Sequence, residues 1–112
     1  MALYLSTATM DATTTAYSAS DETSGTGYTA TGEILTSVTP VTSGVTALCD
    51  FDDRSWTTAS FTARGALLYN DTHATNAAVC VLDFGSDKTV STGTFTVQFP
   101  AADASNAIIR IA

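Results

Sequence analysis

The sequence predicts an all-β fold, a single antiparallel β-sandwich of jelly-roll or immunoglobulin-like type, with about seven to nine short strands. Three observations predict it. Apolar runs with every-other-residue alternation recur at intervals of roughly ten residues, separated by Gly, Ser, Asn and Asp clusters. Hydroxyl residues fill 33 of 112 positions, 22 of them Thr, whose branched Cβ favours extended backbone. Charged residues make up 13% of the chain, against roughly 25% in an ordinary soluble domain. Lys88, Glu22 and Glu33 are the only Lys and Glu, so the residues that coat surface helices are missing.

The apolar runs are Leu3–Thr7, Tyr17–Ala19, Gly27–Thr31, Glu33–Val38, Val45–Phe51, Ser60–Tyr69, Ala78–Phe84, Thr94–Phe99 and Ala107–Ile111. Successive strand side chains point to opposite faces. Val45, Ala47, Cys49 and Phe51 therefore share one face, and Thr46, Leu48 and Asp50 the other. Phe95, Val97 and Phe99 likewise oppose Thr94, Thr96 and Gln98. Both runs read as half-buried strands with hydroxyls turned to solvent. The run from Phe61 to Tyr69 differs, because Ala66 and Leu68 make its second face apolar too. Such a strand needs cover on both sides, from its own core and from a partner. Gly65 in its middle predicts a bulge or a close backbone approach.

Turns are expected at Thr42-Ser43-Gly44, Tyr69-Asn70-Asp71-Thr72, Gly85-Ser86-Asp87 and Ser91-Thr92-Gly93. Pro100 ends a strand, and Ala101–Asn106 behind it is too short for a stable helix. With no linker or repeat, residues 1–112 read as one domain. Residues 1–20 are a candidate arm or edge strand for contacts between subunits.

Composition also excludes function classes. Arg54, Arg64, Arg110 and Lys88 are the only cations in a chain of net charge −7, which leaves no electrostatic footprint for nucleic acid. No apolar stretch approaches the roughly 20 residues of a membrane span. The first residues lack a basic region followed by an apolar core, so synthesis in a cytosol is expected. There Cys49 and Cys80 are expected to stay reduced.

No catalytic constellation emerges. His73 is the only histidine, in the polar stretch NDTHATN, and no G-x-S-x-G elbow accompanies it. Two Cys and one His at these distances do not make a zinc site. The Asp50, Asp52 and Asp53 cluster offers hard oxygens for calcium, but it lacks the EF-hand pattern and reads as a strand-ending turn. Gly25-Thr26-Gly27 has no helix behind it to cradle a phosphate. Trp56 reads as a core plug rather than a sugar platform. The expectation is a protein without enzymatic activity, cofactor or metal.

Four segments read together carry a resemblance: Thr23–Gly32 (TSGTGYTATG), Phe51–Trp56 (FDDRSW), Phe61–Tyr69 (FTARGALLY), and Leu82–Lys88 (LDFGSDK) followed by Gly93–Val97. Their succession resembles a family of small virion-associated structural proteins of tailed bacteriophages, over most of the chain from about residue 20 onward. The resemblance implies a capsid cement or decoration protein on the outer capsid surface, made in the host bacterial cytoplasm. Its partners would be the major capsid protein, whose adjacent subunits it clamps, and itself as a homo-oligomer. A trimer is favoured, because capsid lattices present three-fold positions. The alternative is a tail, baseplate or receptor-facing glycan-binding module.

Interface candidates are Leu3, Leu5, Ala66, Leu68, Ile108, Ile109 and Ile111. Architectural roles fall to Gly25, Gly27, Trp56, Arg64, Gly65 and Asp83. Arg64 is expected to pair with Asp83 or Asp52 as a semi-buried ion pair.

Overall fold

The structure, a computed structural model, describes residues 1–111. It is all-β, with no helix among the described residues and six strands: β1 (Ala2–Tyr4), β2 (Val41–Ser43), β3 (Thr46–Cys49), β4 (Arg54–Tyr69), β5 (Ala78–Val97) and β6 (Ile109–Ile111). They form two three-stranded sheets, ordered β1-β4-β5 and β2-β3-β6. The chain condenses into two compact units, one of Met1–Glu33 with Trp56–Phe95, the other of Ile34–Ser55 with the segment that starts at Thr96.

Six strands replace the seven to nine expected, for two physical reasons. The run Glu33–Val38 forms no strand and keeps only the bridge Ser37↔Phe51, while β2 (Val41–Ser43) forms where a turn at Thr42-Ser43-Gly44 is expected. The runs Tyr17–Ala19 and Gly27–Thr31 form no strand either, and the bridges Ala16↔Ala77 and Thr26↔Ser60 lie just before them. Left-handed backbone at Asp21, Gly27 and Thr31 (φ 58°, 80° and 78°) breaks their extension. Conversely, the predicted turns at Gly85-Ser86-Asp87 and Ser91-Thr92-Gly93 lie inside β5, which merges two expected strands into 20 residues. Arg64 lies two positions from Thr62 along β4, but their partners Asp83 and Thr89 lie six positions apart along β5. The surplus is taken up as a bulge around Gly85 (φ 79°).

In the first unit, β1 runs antiparallel to β4, with Ala2 opposite Leu67, Leu3 opposite Ala66 and Tyr4 opposite Gly65. A Cβ on Gly65 would lie 2.5 Å from the Leu82 carbonyl oxygen. The glycine therefore marks a close approach of β5, not a bulge in β4. Ala2, Tyr4 and Leu67 form a buried cluster that Met10, Tyr17, Tyr69 and Val81 partly cover.

A second cluster in this unit is aromatic. Trp56 stands edge-on to Phe61 and Phe95 (centroids 6.4 and 6.1 Å), Phe61 lies 5.1 Å from Phe95, and Tyr28 meets Phe61 edge-on at 5.6 Å. Such pairs add about 0.5–1.5 kcal/mol each beyond the area they bury.

In the second unit, β2 and β3 form a hairpin in which Ser43 pairs with Thr46. Gly44 supplies φ 61° at the first position of the two-residue loop, as a type II′ turn requires. β6 pairs antiparallel with the other edge of β3, Cys49 opposite Ile109 and Ala47 opposite Ile111. Nearby, Phe51 packs on Phe99 at 5.6 Å, and Asp53 accepts a 2.8 Å hydrogen bond from the Phe99 amide.

Phe95, Val97 and Phe99 point inward while Thr94, Thr96 and Gln98 are exposed, as their alternation predicts. β3 inverts the expectation. Its buried side chains are Thr46 and Leu48, the latter only 1% exposed, whereas Val45 and Ala47 face solvent and Cys49 is half-buried.

Candidate interaction surface

That inversion creates the most distinctive surface of the second unit. Residues directly opposite on paired strands share a face. Thr42, Ala47, Cys49, Ile109 and Ile111 thus line one side of the β2-β3-β6 sheet, and Leu48 and Arg110 the other. On the first side Thr42 and Ala47 are exposed, Cys49 and Ile109 are half-buried, and Ile111 is 72% exposed. Val45 at the hairpin tip and Ile34 in the preceding loop are exposed as well. Among the described residues of these strands, that side carries an apolar stripe and no acidic side chain, in a chain of net charge −7. A monomer normally limits such contiguous apolar exposure.

The approach to β6 is fixed by local chemistry. Asp103 accepts hydrogen bonds from the Ser105 and Asn106 amides (both 2.8 Å) and from Asn106 Nδ2, closing a turn. The Asn106 side chain, the amides and nearby Arg110 hold the Asp103 carboxyl below its ordinary pKa. Arg110 Nη1 donates to the Ala104 and Ser105 carbonyls, which ties β6 to this turn. Pro100 and Ala101–Asn106 form turns rather than helix, as their length predicts.

The interface candidates divide. Ile111 is exposed and Leu5, Ile108 and Ile109 are half-buried. Leu3, Ala66 and Leu68 are interior, and Leu68 is 3% exposed. The second apolar face of β4 is covered by this chain itself, so no partner is needed there. Residues 1–4 are likewise buried, and Ala2–Tyr4 is the edge strand of the β1-β4-β5 sheet.

The architectural residues take concrete roles. Gly25 and Gly27 let the backbone press against β4: a Cβ on Gly27 would lie 3.0 Å from Ala59 Cα and 3.1 Å from the Thr57 carbonyl oxygen. Between them Thr26 bridges to Ser60. Trp56 is 2% exposed, and its ring offers no face to a sugar. Its Nε1 has no hydrogen-bond partner among the described residues. Arg64 Nε donates to Asp83 Oδ1 at 2.9 Å, and the pair lies at the surface rather than half-buried.

Glu22 is a hub that sequence reasoning missed. It accepts hydrogen bonds from Tyr17 (2.6 Å), Tyr28 (2.7 Å) and the Thr31 amide (2.7 Å). Tyr28 in turn accepts from the Leu3 amide at 2.9 Å, which links the hub to β1. Burial, reinforced by the Glu22 carboxylate, pushes the Tyr4 phenol up to about 12 and raises Tyr17 and Tyr28 further. The available signal was scarcity, since a chain with two Glu spends one of them among three tyrosines.

His73 lies exposed in the β4–β5 loop, where its Nδ1 accepts from the Thr75 amide at 3.2 Å. Among the described residues no three His, Cys, Asp or Glu side chains converge as metal ligands. Cys49 and Cys80 are both free thiols. No helix is long and apolar enough to cross a membrane among the described residues. In comparisons with known proteins, no family model, curated protein or solved structure matches the chain.

Proposed function

We propose that this chain is a bacteriophage virion structural protein of the capsid cement or decoration type, which oligomerises, as a trimer, and clamps adjacent major capsid subunits. The fold class assigned to this all-β chain is a β-sandwich of jelly-roll or immunoglobulin-like type. The observation that carries the reading is the apolar, acid-free stripe of Ala47, Cys49, Ile109 and Ile111. Two like-charged copies can meet there without opposing carboxylates, and a small domain gains buried surface by doing so. The residues of the resemblance support it too, since Gly25, Gly27, Trp56, Arg64 and Asp83 all have architectural explanations.

Copy number on the particle is the deciding experiment. Cryo-electron microscopy of virions is expected to place hundreds of copies over the capsid, at positions of local three-fold symmetry. A dozen copies or fewer, on the tail or one vertex, would replace the cement reading with a tail or receptor-facing one. Virions lacking the protein are expected to lose resistance to heat. Unchanged particle stability would count against a clamping role.

A further inference from the structure

The first unit contains a segment that the proposed function leaves unused. Three clefts border residues 6–14. One, of about 250 Å³, lies between Ser6, Ala8 and Met10 and the Arg64–Asp83 pair. Another, of about 360 Å³, separates Asp11, Ala12 and Thr14 from Ala78–Val81. The last, of about 200 Å³, lies inside the segment's own curve, against Ser18, Ser20 and Asp21. A segment undercut on several sides is poorly packed, and packing is what opposes local opening.

Its ends, by contrast, are pinned. At the start, the Leu5 amide donates to the Asp21 carbonyl at 3.0 Å and Thr7 Oγ1 to Asp21 Oδ1 at 2.6 Å. At the far end, the Ala78 amide donates to the Thr15 carbonyl at 2.9 Å, and the Tyr17 amide to the Asn76 carbonyl at 3.0 Å. Between these pins the hydrogen bonds are internal. The Asp11 carboxylate accepts from the Thr13 amide and hydroxyl (both 2.7 Å), and the Thr14 amide donates to the Asp11 carbonyl at 3.1 Å. The middle is attached to the sheet by Ala8 and Met10, which pack on Ala2, Tyr4 and Leu67. Methionine suits such a contact because its unbranched thioether adapts to an irregular surface and leaves it readily.

We propose that Ala8–Thr14 is a strap latched by Met10 over the Ala2–Tyr4–Leu67 cluster, and that it opens about its two pinned ends while the sheet stays folded. The turn built on Asp11 moves as a body, because its own bonds survive the opening. Opening uncovers the cleft that Cys80 lines, so this half-buried thiol reports the state of the strap.

Thiol labelling tests the proposal in the full chain carrying Cys49→Ser, so that Cys80 is the single target. Met10→Ala is expected to raise the labelling rate in the absence of denaturant about tenfold. Met10→Leu, which keeps the apolar contact, is expected to leave it near the parent rate. In all three proteins the rate should stay flat across low urea, because opening does not pass through unfolding. A rate indifferent to Met10→Ala, or one that follows the global unfolding transition, overturns the strap. Limited proteolysis is independent of the thiol. Cuts confined to 8–14, accelerated by Met10→Ala with Trp56 fluorescence unchanged, support local opening; first cuts elsewhere reject it.

Discussion

Arg64 and Asp83 join β4 to β5 through a hydrogen-bonded ion pair, Nε to Oδ1 at 2.9 Å. The same Oδ1 also accepts the Gly85 amide at 2.8 Å, so one oxygen serves a neighbouring strand and the left-handed bulge residue together. The pair is solvent-exposed, and screening keeps such bridges weak. Its value is geometric: it marks where the surplus residues of β5 leave the ladder.

Unequal partners follow from that sharing. Arg64→Ala removes one bond, whereas Asp83→Ala also frees the Gly85 amide. Urea midpoints should therefore fall more for Asp83→Ala than for Arg64→Ala. The Arg64 and Gly85 hydrogen bonds hold the Asp83 carboxyl below its ordinary pKa. Its contribution is thus complete above pH about 4 and is lost as pH falls through the lowered folded value. Asp83→Asn should flatten the acid side of the stability curve. Equal midpoints for the two alanine variants would refute the shared-oxygen account.

At alkaline pH the tyrosines decide. Burial and the Glu22 carboxylate raise the phenols of Tyr4, Tyr17 and Tyr28, and burial raises Tyr69. A raised folded pKa gives stability that is present below the unfolded value near 10 and is lost as pH climbs beyond it. Tyrosinate absorbance should therefore lag behind free tyrosine and then rise together with unfolding. A simple titration centred near pH 10 in folded protein would contradict the hub. Glu22→Gln should bring Tyr17 and Tyr28 ionisation closer to the ordinary range.

The aromatic cluster gives a contrast within one core. Phe61→Ala removes a ring that touches Tyr28, Trp56 and Phe95, and should cost about 3–5 kcal/mol. Trp56→Phe should cost less, because the indole N–H has no hydrogen bond to lose and an aromatic face is kept. Chemical denaturation of the two variants measures both. A Trp56→Phe loss as large as that of Phe61→Ala would mean that the indole does more than fill space.

Much of this fold is legible in the sequence, and the failures share a cause. Threonine content, the Phe95–Phe99 alternation and Gly44 in its turn can all be read locally, whereas Arg64's partner stays open between Asp83 and Asp52 until the strands pair. Strand number cannot, because Gly85 and Thr92 serve equally as turn or bulge until pairing partners are known. Nor can the cover on Leu68, since a doubly apolar strand looks the same whether its own chain or another molecule buries it. The Glu22 hub joins residues up to 28 positions apart, from the long β1–β2 connection and from β1, which no short motif encodes.

Strand β3 poses the sharpest case, because alternation there gives the right period and the wrong side. Val45, Ala47 and Cys49 look like the core face, yet Leu48 is the fully buried side chain. Val45 falls in the hairpin turn, outside the strand, and within β3 one Leu outweighs Ala and Cys in apolar area, so the inward register is the one that hides Leu48. Leu48→Asp should then abolish folding, since an unpaired charge would replace a buried aliphatic. Ala47→Asp and Ile111→Asp should leave the monomer folded, with circular dichroism and urea midpoint close to the parent. Leu68→Asp belongs with the destructive class, because the second apolar face of β4 is buried within the chain. If the stripe joins copies, Ile111→Asp should also shift the molecular mass seen by light scattering from oligomer towards monomer. A folded Leu48→Asp protein beside an unfolded Ala47→Asp protein would reverse the register and, with it, the surface on which assembly is proposed.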